Sequence, residues 1–252
     1  MPPRTQTSLV TGATAGIGLA FSRALAARGD DLVLVARDED RLDRVAEELL
    51  SAYGGEVRVV PADLATDDGT ERVAEMLREE AIDLLVNNAG HGTRTSFLAT
   101  PVADEDVSLD LMVRAPMRLC HAALPGMLDR RRGAVLNVAS VAAFVPRGTY
   151  GAHKAWLVSF TRWLSVRHRR RGVRAMVLCP GLVRTEFHQR MQVDVSSVPR
   201  WMWLDADRVV RDALTDLSRG VIVSVPSRRY QVLTRLARLT PPSAAERFSR
   251  RG

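Results

Sequence analysis

At 252 residues, with 46% hydrophobic and only 5% aromatic side chains, the chain is long enough to bury a full core and has the make-up of a globular α/β protein. No apolar run reaches the ~20 residues that cross a bilayer, the polar stretch 1–7 leaves no space for a signal peptide before the first strand, and the two cysteines, Cys120 and Cys179, fit no metal or disulfide pattern, so a reducing cytoplasm and no metal are expected. The net charge of +7 raises the question of nucleic acid, but Arg130, Arg131 and Arg132 precede Gly133, and Arg169, Arg170 and Arg171 precede Gly172, where cations offset a helix dipole and glycine ends the helix; with no aromatic-rich basic strip beside them, no nucleic-acid partner is expected.

The strand Ser8-Leu9-Val10 runs into Thr11-Gly12-Ala13-Thr14-Ala15-Gly16-Ile17-Gly18, and 19–28 reads as the helix that follows. Strand, glycine-rich turn and helix is the context a dinucleotide site requires, because glycines let the backbone approach a pyrophosphate and a helix N-terminus favours its charge. A second strand, 31–36, ends at Ala36 and is followed by Arg37. In NAD-binding units an acidic residue about 20 positions past the glycines takes the ribose 2′-hydroxyl. Here an alanine holds that place and an arginine follows, so Arg37 is expected to pair with a 2′-phosphate, favouring NADP(H) over NAD(H). The plain alternative is a solvated arginine before a helix.

Residues 38–53 form an amphipathic helix ended by Gly54-Gly55, and 57–61 is a third strand leading to Ala62-Asp63-Leu64. A helix at about 68–80 precedes a strand at 82–86, which delivers Asn87-Asn88-Ala89-Gly90. The periodicity predicts one long helix over 102–132 despite Pro116, then a strand at 134–139 that delivers Ser140. A helix over 151–171, a strand at 173–179 ending in Pro180-Gly181, a helix over 205–219 and a strand at 221–225 complete the pattern. Continuous apolar strands separated by helices read as a buried parallel sheet. The expectation is one Rossmann-like α/β domain over 1–252, a doubly wound seven-stranded parallel sheet in three α/β/α layers with its core at about 7–225 and a basic amphipathic extension at 226–252. Ligand is expected at the carboxyl ends of the strands.

Of the 36 lysine and arginine side chains all but one are arginine, and the exception is Lys154. A chain that writes its cations as arginine keeps a lone lysine where a compact ammonium with a movable pKa is needed. Tyr150 and Lys154 are four apart, hence on one face of a helix. A cation there would stabilise phenolate and lower a reference pKa of about 10, and Ser140, brought alongside, would donate to an oxygen that gains charge. The group so formed is a proton donor aimed at a carbonyl oxygen. An ordinary surface pair is the alternative reading of the spacing alone.

These motifs together resemble the short-chain dehydrogenase/reductase family over roughly 7–225. The turn from Thr11 to Gly18 matches its cofactor motif, Asn87-Asn88-Ala89-Gly90 its central-strand motif, and Ser140, Tyr150 and Lys154 its catalytic set. Pro180-Gly181 with Val183 and Thr185 looks like its nicotinamide-side motif. The resemblance implies that Tyr150 is the general acid in reduction and the base in oxidation, that Lys154 lowers its pKa and holds the nicotinamide ribose, and that Ser140 orients the substrate carbonyl. It further implies cofactor contacts from Gly12, Thr14, Ala15, Gly16, Ile17 and Gly18, from Asp63 and Leu64 beside adenine, from Asn88, Ala89 and Gly90, and from Pro180, Gly181, Val183 and Thr185 around the carboxamide. The implied activity is NADP(H)-dependent transfer between a nicotinamide and a carbonyl or secondary alcohol.

Three departures stand out. The loop between Ser140 and Tyr150 is about three residues shorter than the family often has. His153 stands where a serine is usual, read as a tolerated change at the helix surface. Met112 falls where the family's long helix supplies an asparagine that holds a relay water, and a thioether cannot donate a hydrogen bond. Met112 is read as core packing, with a cofactor-binding protein of weak or no catalysis, acting as a regulatory or structural partner, as the alternative function.

The segment 184–204 carries Phe187, Met191, Val193, Val195, Val198, Trp201, Met202, Trp203 and Leu204, which would suit a lid over a mostly apolar carbonyl or alcohol. The tryptophans packing on their own core is the equal alternative. In the tail, Tyr230, Leu233, Leu236, Ala237 and Leu239 fall near one helical face with Arg229, Arg235 and Arg238 around them. Such a helix could touch a membrane surface peripherally, or cover the lid or a subunit interface. A homo-oligomer, dimer or tetramer, is expected by analogy with the family, through the two long helices.

Overall fold

The computed structural model describes residues 5–92, 97–146, 148–186 and 199–239. Seven parallel strands are laid in the order β3-β2-β1-β4-β5-β6-β7: β1 Thr7–Thr11, β2 Asp31–Ala36, β3 Val57–Pro61, β4 Leu84–Asn87, β5 Gly133–Val138, β6 Val173–Leu178 and β7 Val223–Ser224. The order reverses between β1 and β4, which pair Ser8 with Leu84 and Val10 with Val86. That reversal opens a crevice at the carboxyl ends, where the loops after β1 and β4 diverge.

Alternation along the strands decides which helix packs where. Val10, Leu32 and Leu34 face one side with α1 (Gly16–Ala27), α2 (Glu39–Tyr53) and α7 (Ala206–Ser218), through Phe21, Leu42 and Val210. Leu9, Val33 and Val35 face the other with α3 (Asp67–Glu79), α5 (Ala115–Asp129) and α6 (Gly148–His168), through Leu77, Leu119 and Leu164. Sheet and two helical layers therefore form as the strand pattern requires. Side chains cap the starts of α2, α3 and α7: Asp38 accepts from the Arg41 N–H, Thr66 from Gly69 and Asp205 from Arg208. No helix among the described residues is long and apolar enough to cross a membrane.

The expected helix over 102–132 is divided. It runs as α4 (Val102–Leu109), a π-helical stretch at Asp110–Arg114, and α5. The widened turn contains Met112, 1% exposed, and π-turns recur at functional positions. Pro116 is the second residue of α5, directly after the π-helical stretch, and lacks the N–H that a regular continuing helix would use there. Two boundaries also move. α6 begins at Gly148, three residues before the expected start, so Tyr150 is itself helical and Lys154 lies one turn further on. The last strand shortens to Val223–Ser224. A final helix, α8 (Arg228–Leu239), follows it.

Candidate active site

Ser140 leaves β5 in extended backbone and caps a short 3-10 turn, Val141–Phe144, its Oγ accepting from the Ala142 N–H at 3.1 Å. The chain then enters α6 through Gly148, at φ 61, which brings Tyr150 back over Ser140. A hydrogen bond with Ser140 acts to lower the Tyr150 phenol, but burial wins and holds it at about 12. Lys154 is 4% exposed; its Nζ donates to the Val138 carbonyl oxygen at 2.9 Å and lies 5.7 Å from the Tyr150 ring centroid. Burial brings its ammonium down to about 8, opposed in part by its electrostatic interaction with Cys179. Ser140, Tyr150 and Lys154, expected as the catalytic set, thus lie close together. The expected depression of the phenol is not seen: desolvation outweighs the Ser140 bond, and the lysine points at the backbone of β5.

A buried polar string fixes the rotation of α6. Asn87 Nδ2 donates to Asn137 Oδ1 at 2.8 Å, Asn137 Nδ2 to Thr161 Oγ1 at 2.8 Å, and Thr161 to the Leu157 carbonyl at 2.7 Å. It ties β4 and β5 to α6 two turns below Lys154, so a rotated helix would orphan buried amides.

At the crevice, Gly12 has φ 65, and a Cβ there would fall 2.9 Å from Asn88 Nδ2. That amide donates to the carbonyls of Thr11 (2.8 Å) and Gly12 (3.2 Å), while the N–H groups of Asn88 and Ala89 both donate to Thr11 Oγ1 at 2.9 and 3.0 Å. Thr11 is therefore the hub joining the loops after β1 and β4. Thr14, Ala15, Gly16 and Ile17, in the turn and at the start of α1, are partly exposed. A Cβ on Gly18 would strike the Gly12 carbonyl oxygen at 2.1 Å, so glycine permits α1 to seat against the turn. Thr185 closes the other side, its Cβ 3.1 Å from where a Gly16 Cβ would stand. Ala15 offers α1 no side-chain cap, and its first turn holds no acidic residue. An uncapped helix N-terminus over an open glycine turn fits a pyrophosphate, so the residues present fit a nicotinamide dinucleotide.

Arg37 is exposed, 3.9 Å from Asp63 Oδ2. Asp63 also accepts from the Ala65 N–H at 3.0 Å, and Leu64 is buried beside it. Gly90 faces Lys154 and Met112: a Cβ there would lie 3.5 Å from Nζ and 3.8 Å from the Met112 sulfur. The Pro180 carbonyl accepts from the Val141 N–H at 3.0 Å, tying this turn to the Ser140 turn, and Val183 bridges to Leu204. Of the expected lid, 187–198 lies outside the described residues. Trp201 is exposed, with the Arg229 guanidinium 5.8 Å from its ring centroid, and Leu204 is buried.

His153 is not at the helix surface as expected. It is 9% exposed, and burial lowers its imidazole below the usual range, opposed by the Glu105 charge and reinforced by Lys154 and His91. Its Nδ1 and both Glu105 carboxylate oxygens are buried with no hydrogen-bond partner among the described residues. Sequence reasoning also missed the pair between Arg41 of α2 and Glu186, at 3.0 and 3.2 Å. The pair spans 145 positions, which no local pattern could signal. The tail helix does not present its expected face either: Tyr230 and Thr234 are buried, whereas Leu233 and Leu236 are exposed.

Comparison with known proteins agrees with this arrangement. A model of the short chain dehydrogenase family matches residues 6–195. A very-long-chain 3-oxoacyl-CoA reductase of Anas platyrhynchos is 34% identical over 71% of this chain, which spans 60% of that protein's length. A short-chain dehydrogenase from Sphingobium yanoikuyae, solved in complex with NADPH, superposes with a TM-score of 0.86 at 33% identity, over 92% of this chain and 93% of that one. A bulky-bulky ketone specific alcohol dehydrogenase from Comamonas testosteroni superposes with a TM-score of 0.81 at 29% identity, over 92% and 91%.

Proposed function

This chain belongs to the short-chain dehydrogenase family, and from that premise we propose that it is an NAD(P)-dependent oxidoreductase that interconverts a bulky, mostly apolar ketone and its secondary alcohol with NADP(H). The observation that carries the reading is the gathering of Ser140, Tyr150 and Lys154 at the end of β5, beside the open glycine turn after β1. When bound, the nicotinamide supplies or accepts the hydride at the substrate carbon. In reduction the Tyr150 phenol gives its proton to the carbonyl oxygen, which becomes the alcohol hydroxyl; in oxidation the phenolate takes that proton back. Ser140 donates to the same oxygen and Lys154 supplies the positive charge that lets the phenol release its proton.

The cofactor would be held by the turn from Gly12 to Gly18, by Asp63 and Leu64, by Asn88, Ala89 and Gly90, and by Pro180, Gly181, Val183 and Thr185. Preference for NADP(H) is supported by exposed Arg37 at the end of β2, and the NADPH complex of the Sphingobium protein is consistent with it. A large apolar substrate is supported by exposed Trp201 and by the similarity to the bulky-bulky ketone specific enzyme of Comamonas. Exposed Trp163 and Val166 on α6, with Val102 and Leu109 on α4, support a homo-oligomer through these helices, and exposed Val232, Leu233 and Leu236 on α8 support peripheral contact with a membrane surface. Core and tail act as one domain in this reading. A binding protein without catalysis is not favoured, because the proton-transfer residues are intact and Met112 is packed in the core. The test is a panel of bulky ketones and alcohols assayed with NADPH and NADH. Turnover with neither cofactor on any of them would sink the reading.

A further inference from the structure

The chain has three tyrosines, and the one on α8 is 4% exposed, whereas Val232, Leu233 and Leu236 of the same helix are exposed. Tyr230 OH accepts a hydrogen bond from the Leu182 N–H at 3.1 Å and donates one to the Met202 carbonyl at 2.8 Å. Both capacities of the phenol are spent on backbone. Leu182 and Met202 belong to two stretches that also pair directly, Leu204 N–H with the Leu182 carbonyl at 2.8 Å and Arg184 N–H with the Leu204 carbonyl at 2.9 Å. The ring itself covers Gly181: a Cβ there would fall 2.1 to 2.4 Å from the ring carbons Cζ, Cε2 and Cε1. Gly181 has no positive φ, so its glycine answers to the approach of Tyr230 and not to a backbone conformation. Ser227, just before α8, is held at φ 78, a left-handed conformation unusual for serine. Strain at the entry and a phenol saturated at the far end place the side chain firmly.

We propose that Tyr230 is a positioning residue for the nicotinamide end of the cofactor, holding the turn Pro180-Gly181-Leu182-Val183 at the height where Val183 and Thr185 meet the carboxamide. The inference rests on the cofactor reading above and assigns α8 to the working part of the molecule. Tyr230 touches neither substrate nor cofactor in this role. It acts through the Leu182 N–H and the Gly181 backbone, which continue into the Pro180 carbonyl and the Ser140 turn.

The experiment compares two probes on wild type and Tyr230→Phe: NADPH, and adenosine 2′,5′-bisphosphate, which carries the adenine half alone. The variant keeps the ring and loses both hydrogen bonds, so it is expected to bind NADPH about five- to thirtyfold more weakly, one or two net hydrogen bonds' worth, with bisphosphate affinity unchanged. Equal weakening for both probes, or none for either, overturns the proposal. Amide exchange of wild-type Leu182 provides a readout that needs no variant. NADPH should slow it and the bisphosphate should not, and identical exchange with the two probes overturns the proposal as well. Wild type that binds neither probe overturns the cofactor reading itself, a failure distinct from loss of the split.

Discussion

The Lys154 ammonium donates to the Val138 carbonyl oxygen at 2.9 Å, from a position where burial has brought its pKa down to about 8. The native state therefore sheds this proton near pH 8, while the unfolded chain holds it to about 10.5. Below pH 8 both states carry the charge, and the folded protein bears the whole cost of burying it. Between these values the unfolded state binds more protons, so stability rises with pH. Lys154→Met should raise unfolding stability at pH 7 by about 1–3 kcal/mol, the desolvation relief less the lost hydrogen bond. That advantage should fade as pH climbs toward 10.5. The same variant should lose most turnover, and Lys154→Arg should rescue poorly because guanidinium is larger and planar. Thermal melts across pH check the first claim; an unaltered gap between wild type and Lys154→Met at pH 7 and pH 10 would refute it.

A consequence for catalysis follows from the same two groups. The Tyr150 phenol, at about 12, stays protonated through the working range, whereas Lys154 loses its charge above about 8. Carbonyl reduction should hold a plateau in kcat/KM up to about pH 8 and decline above it as the ammonium empties. The pH profile for NADPH measures this. A profile flat to pH 10 would mean the lysine charge is not needed.

Arg37 stands exposed beside Asp63, free of burial cost and close to a carboxylate that an incoming 2′-phosphate would displace. A charge-assisted pair is worth roughly 1.5 to 3 kcal/mol, about ten- to a hundredfold. Arg37→Ala should shrink the NADPH over NADH preference by that order and leave NADH affinity nearly unaltered. Fluorescence titration of both cofactors decides; equal binding by wild type would reduce Arg37 to a solvated helix-start residue.

Met112 fills the widened turn between α4 and α5, with its sulfur facing Gly90. If its place lacks a relay water, Met112→Asn should raise kcat with little effect on NADPH affinity, at a stability cost of about 1–3 kcal/mol for an amide without a partner. An unchanged or lower kcat in a folded variant would show that the proton leaves by another route. Buried His153 and half-buried Glu105, which hold polar atoms without a hydrogen-bond partner among the described residues, are the first groups to substitute in that event.

Periodicity and glycine turns were enough to read the sheet and the crevice, and i to i+4 spacing placed Tyr150 and Lys154 on one helix face, because these are local signals; Ser140, on a different element, joined them through the family resemblance. The division of the 102–132 helix was not legible, since the apolar periodicity runs through Asp110–Arg114 without marking the π-helical stretch found there. His153 looked like surface because its neighbours on α4 are some 48 positions away in the chain, and only folding places the Glu105 charge beside it. The protonation states were likewise undecided: a tyrosine and a lysine four apart suggest a lowered phenol, and desolvation, which exists only once the chain has folded around it, raises it instead. Tyr230 read as one apolar position on a basic helix. Its bonds to Leu182 and Met202 join segments 48 and 28 residues away, and a chain carries no one-dimensional mark of contacts that exist only once its layers close.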